Sequence, residues 1–220
     1  MIAPLQHIDA FLHGRALYRA DQPAAPRARW FLLMILFLGP LYGVCMGSYS
    51  VANLDRVTMM LLVAIKVPLL LLATTLICLP GYFAFNTILG LRDDWSAALQ
   101  AILAGQAAVS IALVSLAPLT QVWYWSGASY RGAILFNALA FGTAAVAGQI
   151  AMRRYYRPLI LRRPAHRLAL ALWIGLYAFV GIQMGWMLRP FIGSPDMPVA
   201  FFRQEPFSNA YLVVMELIFG

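Results

Sequence analysis

Lys66 is the residue whose chemistry most needs an explanation, because it lies inside a long apolar run, nine residues after Val57. A charge near the middle of a membrane span costs roughly 2.5–3.5 kcal/mol on insertion scales, so we expect a compensating partner. Glu216, seven residues after Asn209, would lie at a similar depth of roughly 10–14 Å if both segments are helical. Two arrangements are open: an ion pair between Lys66 and Glu216, or a lysine that reaches the interface or bonds carbonyl groups freed by Pro68.

Polar side chains inside other apolar segments offer a second kind of chemistry. They are Gln106, Asn137, Thr143, Gln149 and Gln183. We expect most of them to form interhelical hydrogen bonds worth about 1 kcal/mol each. The alternative is a polar path for a solute, which Lys66 would share.

Catalytic and cofactor motifs are missing from the sequence. His7, His13 and His166 are far apart, and no HExxH, CxxC, G-x-S-x-G or phosphate-binding glycine loop occurs. Cys45 and Cys78 lie in apolar runs, where cysteine is usually a small buried hydrophobe. We therefore expect no enzyme activity, no metal site and no cofactor.

The composition identifies the solvent in which these residues act. Hydrophobic residues make up 62% of the 220 positions and charged residues 11%, which is outside the range of water-soluble domains. A span needs roughly 20 apolar residues. The sequence therefore predicts an all-α integral membrane bundle with about five transmembrane helices, at residues 30–48, 57–79, 97–119, 132–152 and 168–188.

The second apolar run is too long for one straight span. It continues to Leu89, and a helix of that length would measure roughly 50 Å, against about 30 Å of hydrocarbon. Proline removes a backbone donor and clashes with the preceding turn. We expect this segment to tilt, kink or leave the membrane, with breaks at Pro68 and at the pair Pro80 and Gly81.

The chain divides into three parts. Residues 1–29 predict an interfacial amphipathic helix and linker, since Leu5, Ile8 and Leu12 follow helical spacing. The five-span bundle occupies 30–188, and 189–220 holds a loop rich in proline and aromatic residues with a short apolar segment at its end. That last segment, 210–219, is too short to cross, so it would re-enter partway, lie flat or pack against a partner.

The basic residues set the expected orientation. Eleven of the sixteen fall on the side that would carry the N-terminus, so we expect a cytoplasmic N-terminus. The linker between spans four and five holds a cluster that we interpret as a topology anchor able to contact anionic lipid or an acidic partner. This cluster is Arg153, Arg154, Arg157, Arg162 and Arg163. Membrane orientation also accounts for the net charge of +8, so nucleic acid is not an expected partner.

Asp93 and Asp94 precede Trp95, where the third span is expected to begin. A carboxylate just before a helix accepts hydrogen bonds from the first free N–H groups and complements the helix dipole. The sequence therefore predicts an N-cap.

Glycines repeat at helical spacing in the first and fifth spans. Gly39, Gly43 and Gly47 lie four residues apart, and so do Gly181 and Gly185. Such spacing places flat surfaces on one helix face, where another helix can approach closely. Packing within the chain and a seam for a partner subunit both fit the pattern.

Two stretches carry a resemblance: KVPLLLLATTLICLPGYFAFNTILG at 66–90 and GIQMGWMLRPFIGSPDMPVAFFR at 181–203. The chain resembles a family of bacterial polytopic membrane proteins without an assigned activity. The resemblance implies a bacterial inner membrane.

The leading functional hypothesis is a non-catalytic integral membrane subunit or scaffold of a multi-protein complex, with lipids and other integral membrane subunits as its partners. Small-residue helix faces would provide the contacts. The alternative is a small-solute or ion transporter, in which Lys66, Gln183 and Asn137 would line a path.

Overall fold

The computed structural model describes residues 24–50, 57–193 and 198–202. Within these residues lie five α-helices, each long and apolar enough to cross a membrane. The all-α membrane bundle predicted from the sequence is therefore confirmed. The expected amphipathic helix before residue 24, Glu216 and the short C-terminal segment lie outside the described residues. The helices are α1 (Ala24–Gly47), α2 (Val57–Ile88), α3 (Trp95–Trp125), α4 (Tyr130–Arg162) and α5 (His166–Met187).

The three middle helices are longer than the predicted spans. They contain 32, 31 and 33 residues, so each measures about 46–50 Å and exceeds the hydrocarbon thickness. The second helix is not interrupted at the predicted break points, because α2 continues through Pro68 and Pro80 as one helix. Apolar length alone underestimated these helices, since a helix continues into the headgroup region until a residue stops it.

Local signals end and begin the helices. Gly90 adopts φ +68, and the amide of Leu91 donates to the carbonyl of Asn86 at 2.7 Å, which closes α2 with a left-handed glycine. The Ser129 hydroxyl accepts a hydrogen bond from the amide of Gly132 and caps α4. Asp94 stands at the predicted N-cap position of α3. The predicted capping hydrogen bond is wrong, because the Asp94 side chain does not accept one from the first turn of the helix.

Helices that follow one another in the chain run antiparallel, and the order of the helices in space differs from their order in the chain. The first helix packs against α2 and α3, α3 also packs extensively against α4, and α5 packs mainly against α2. We call the side on which α1 begins the proximal side and the opposite one the distal side. The connections between α2 and α3 and between α4 and α5 therefore lie on the proximal side.

Two hydrophobic clusters hold the bundle together. The first joins α1 to α2, α3 and α4 and includes Ile192 from the loop after α5. The second joins α5 to α2, α3 and α4, around Tyr82 and Trp173. The first and fifth helices thus contact side chains of the same three helices, but at different positions along them.

Candidate functional site

Lys66 points to the loop that follows α5. Its Nζ donates a hydrogen bond to the carbonyl oxygen of Pro190 at 2.7 Å. The same atom lies 4.9 Å from the ring centroid of Phe201 and 6.0 Å from that of Phe191. The side chain is completely buried, with 0% exposure. A carbonyl dipole and two aromatic rings therefore surround the ammonium group, as expected for a desolvated cation.

The early end of α5 explains why a loop lies at this depth. Gly181 of α5 lies beside Thr74 of α2, and α5 ends at Met187, so its last turn reaches roughly the level of Pro68. Leu188 is buried, and residues 189–193 and 198–202, which the structure describes, are not helical. Non-helical backbone at membrane depth is tolerated where protein covers it, and a cation near a helix C-terminus complements the free carbonyls.

The position of Lys66 bears on the two arrangements left open by the sequence. The lysine bonds a backbone carbonyl, but that carbonyl belongs to Pro190 instead of the turn that Pro68 disrupts. The loop is held from a second helix as well, because the Tyr130 hydroxyl donates to the carbonyl of Ile192 at 3.4 Å. The ion pair with Glu216 involves a residue outside the described ranges.

Asn137 is the centre of a second polar network, which joins three helices. Its Oδ1 accepts from the Tyr42 hydroxyl at 2.9 Å, and its Nδ2 donates to the Tyr124 hydroxyl at 2.7 Å and to the Ala133 carbonyl at 2.8 Å. Tyr124 continues to the carbonyl of Met46 at 3.2 Å. These bonds tie α4 to α1 and α3, which is the interhelical role predicted for such side chains.

The other predicted intramembrane polar residues lie in different surroundings. Gln106 accepts from the Tyr177 hydroxyl at 2.9 Å, which links α3 to α5. Thr143 bonds the carbonyl of its own helix at Leu139. Gln149 lies six residues further along α4, and Gln183 lies on α5. The structure therefore distributes these groups over several contacts.

The glycines of the first span pack against α2. A Cβ built on Gly43 would lie 2.5 Å from the Val63 carbonyl oxygen and 2.6 Å from the Ala64 Cα, and one built on Gly47 would lie 2.8 Å from the Met60 Cα. At Gly39 the nearest atom is the Pro68 Cβ at 3.2 Å. The structure therefore places this face inside the chain, where glycine lets the two backbones approach.

The two glycines of α5 have different neighbours. A Cβ on Gly181 would meet Thr74 of α2 at 3.6 Å, whereas one on Gly185 would meet nothing within 4 Å. The outward face of α5 also contains small residues that were not predicted from the sequence. Among them, Gly175 has open space where a Cβ would be. Between residues 169 and 187 the exposed residues are Ala171, Gly175, Ala178, Phe179 and Ile182.

The arginine cluster lies at the proximal end of α4 and in the linker to α5. Arg153, Arg154, Arg157, Arg162 and Arg163 are all exposed. Arg163 also acts within the chain, since its Nη1 donates to the Gly90 carbonyl at 3.0 Å and its Nη2 lies 3.9 Å from the Asp93 carboxylate. The cluster therefore presents positive charge where the helix leaves the apolar region.

A chain of hydrogen-bonded side chains at the proximal side was not predicted from the sequence. Asp94 Oδ2 lies 3.0 Å from His166 Nε2, His166 Nδ1 lies 3.3 Å from the Tyr156 hydroxyl, and Tyr156 bonds the Tyr82 hydroxyl. The four residues come from four different segments, with separations of 72 and 74 positions at two of the contacts. No local motif could have revealed them, because only the antiparallel packing brings them together.

Searches against models of protein families, curated proteins and solved structures found no match. Within the described ranges, no group of three or more histidine, cysteine or acidic residues could hold a metal ion. The contacts above are therefore the basis for any functional proposal.

Proposed function

We propose that this chain is a non-catalytic integral membrane subunit of a multi-protein complex, and that a partner helix packs on the outward face of α5. The proposal places it in a bacterial cytoplasmic membrane with the N-terminus on the cytoplasmic side. The observation that carries it is the row of small residues on that face: Ala171, Gly175, Ala178 and Gly185, with Ile182 between them.

Spacing and exposure make this row suited to a helix partner. Its members follow intervals of three and four residues, so they share one face. Gly175 and Gly185 have open space where a Cβ would be. In lipid, helices associate through close van der Waals packing, which small residues allow. On α1 a similar face of small residues is covered by α2 around Gly43. This chain therefore already uses such a face for close contact between two helices.

The loop after α5 offers a second contact on the distal side. Lys66 holds its backbone at Pro190 and lies against the ring of Phe201. The next residue, Phe202, remains 47% exposed, and Val199 is 36% exposed. An anchored loop loses little entropy when a partner covers it. The loop would therefore extend the α5 surface.

The polar groups named for a transport path support the subunit role better. The Lys66 ammonium bonds a loop carbonyl, and the amide of Asn137 bonds two tyrosines and a carbonyl. A translocated solute would have to displace these bonds. Their existing partners are interhelical or loop contacts, which serve the architecture.

Gentle extraction followed by native mass spectrometry tests the proposal. Wild type should be released in a complex with other membrane subunits, and Gly175→Leu should release the chain alone because leucine blocks the close approach. Gly142→Leu is the matched control, since Gly142 on α4 also has open space. A wild-type chain that is extracted alone and moves a solute into liposomes would overturn the proposal.

A further inference from the structure

The chain of Asp94, His166, Tyr156 and Tyr82 connects the proximal surface to the inside of the bundle. The Asp94 side chain is 18% exposed, whereas His166 has no exposed side-chain surface. Tyr82 and Tyr156 are both fully buried. Tyr82 lies six residues before the end of α2 at Ile88, or about 9 Å along the helix. Only the carboxylate end therefore meets water.

Both nitrogens of the buried imidazole are engaged. Nε2 faces the Asp94 carboxylate and Nδ1 faces the Tyr156 hydroxyl. A neutral imidazole has one donor and one acceptor, so it can donate to Asp94 and accept from Tyr156. An imidazolium has two donors and can donate to both partners. The same heavy-atom positions thus accommodate either protonation state.

Addition of one proton would reverse the bonds further inside. When Nδ1 gains a hydrogen, Tyr156 can no longer donate to it and must direct its hydroxyl to the oxygen of Tyr82. Either tyrosine can be the donor in that bond. No covalent bond other than the N–H is formed, so the change is a rotation of hydroxyl groups along a connected network.

The surrounding charges fit a site that alternates between neutral and charged imidazole. Asp94 directs its carboxylate to His166 and makes no capping bond in its own helix. The neighbouring Asp93 carboxylate instead lies near Arg163. Arg92 and Arg167, on the two adjoining segments, are exposed to solvent. The carboxylate of Asp94 is therefore the charge that would balance an imidazolium.

We propose that His166 is a proton-binding site, reached from water through Asp94, and that its protonation is transmitted through Tyr156 to Tyr82. The proton would be held where the second, third, fourth and fifth helices meet, since the four residues lie on or next to these helices. The proposal concerns proton binding alone and does not depend on the subunit role.

Infrared difference spectroscopy between alkaline and acidic samples tests this assignment, with ring-labelled tyrosine to identify tyrosine bands. Wild type should show an imidazole band change together with a tyrosine C–O change. In His166→Gln the tyrosine change and the His166 part of the imidazole change should disappear. His7 and His13 remain in this variant, so subtracting its spectrum from that of wild type isolates the His166 bands. In Tyr156→Phe the imidazole change should persist while the tyrosine change is lost.

Two further variants keep the test decisive if one protein folds poorly. Tyr82→Phe should retain the imidazole change and part of the tyrosine change, because Tyr156 is still present. Tyr177→Phe removes a hydroxyl further along α5 that bonds Gln106 of α3, and it should leave both changes intact. The proposal is overturned if His166 stays neutral throughout, or if the tyrosine change is the same in wild type, His166→Gln and Tyr156→Phe.

Discussion

Lys66 and Pro190 are 124 positions apart in the chain, yet the ammonium group of one lies 2.7 Å from the carbonyl oxygen of the other. The contact fixes the first residues after α5 against α2. It gives a buried cation an acceptor and gives a non-helical carbonyl a donor. The most unusual residue of the sequence is thus explained by the backbone of a distant loop.

Lys66→Met should release the loop without unfolding the bundle. The lost hydrogen bond to a charged group is worth about 1.5–3 kcal/mol, and the removed burial of a charge offsets roughly 2.5–3.5 kcal/mol. The two effects largely cancel, so we expect the free energy of unfolding to change by no more than about 2 kcal/mol.

A spin label at Val199, which is 36% exposed, should report this release as increased mobility. Ile65→Met, at an exposed neighbouring position, is the control and should leave the label unchanged. Equal mobility in Lys66→Met and wild type would show that the lysine does not hold the loop.

Gly43→Leu should strongly destabilise the bundle. A side chain there would meet the backbone of Val63 and Ala64, which cannot move away as a flexible side chain can. Overpacking of this kind costs about 1–3 kcal/mol or more. Gly142→Leu meets open space and should stay within about 0.5 kcal/mol of wild type. Thermal unfolding in detergent measures both, and similar stabilities would contradict the α1–α2 contact.

Tyr42→Phe should destabilise the distal network because it leaves the Oδ1 of Asn137 without that donor. An unsatisfied buried acceptor costs about 1–3 kcal/mol. In an Asn137→Leu background the same change should cost less, since the acceptor is gone. A double-mutant cycle based on denaturant unfolding measures the difference, and strictly additive effects would argue against the bond.

Arg153 and Arg157 should bind anionic lipid at the proximal side. Each arginine near an anionic surface contributes about 1 kcal/mol, so replacing both by glutamine should reduce binding of phosphatidylglycerol by roughly thirtyfold at low salt. Native mass spectrometry with that lipid gives the bound fraction. Arg131→Gln, an exposed arginine at the distal start of α4, should have little effect, and an equal loss there would remove the assignment.

Apolar length and the positions of charged residues were sufficient to predict five spanning helices. The glycine spacing on the first span predicted a close contact, and the structure supplies its partner, α2. The ends of the long helices were harder to predict from the sequence. Gly90 ends α2 through its positive φ, but an apolar segment that continues to Leu89 gives no sign of where hydrocarbon ends and headgroups begin.

Contacts between distant segments could not be predicted from the sequence. The acceptor for Lys66 is a backbone carbonyl, which every residue possesses and no residue type reveals. The contact of Asp94 with His166 depends on the proximal turns that bring α3 and α5 together. In the same way, spacing alone linked Gly181 with Gly185, whereas only packing shows that one faces α2 and the other faces outward.

Photo-crosslinking in native membranes tests the central claim most directly. A crosslinking amino acid at Gly175, on the outward face of α5, is compared with one at Gly142, which is equally open on α4. The account predicts a protein adduct of defined mass at position 175 and only lipid adducts at position 142. Lipid adducts alone at both positions would contradict it.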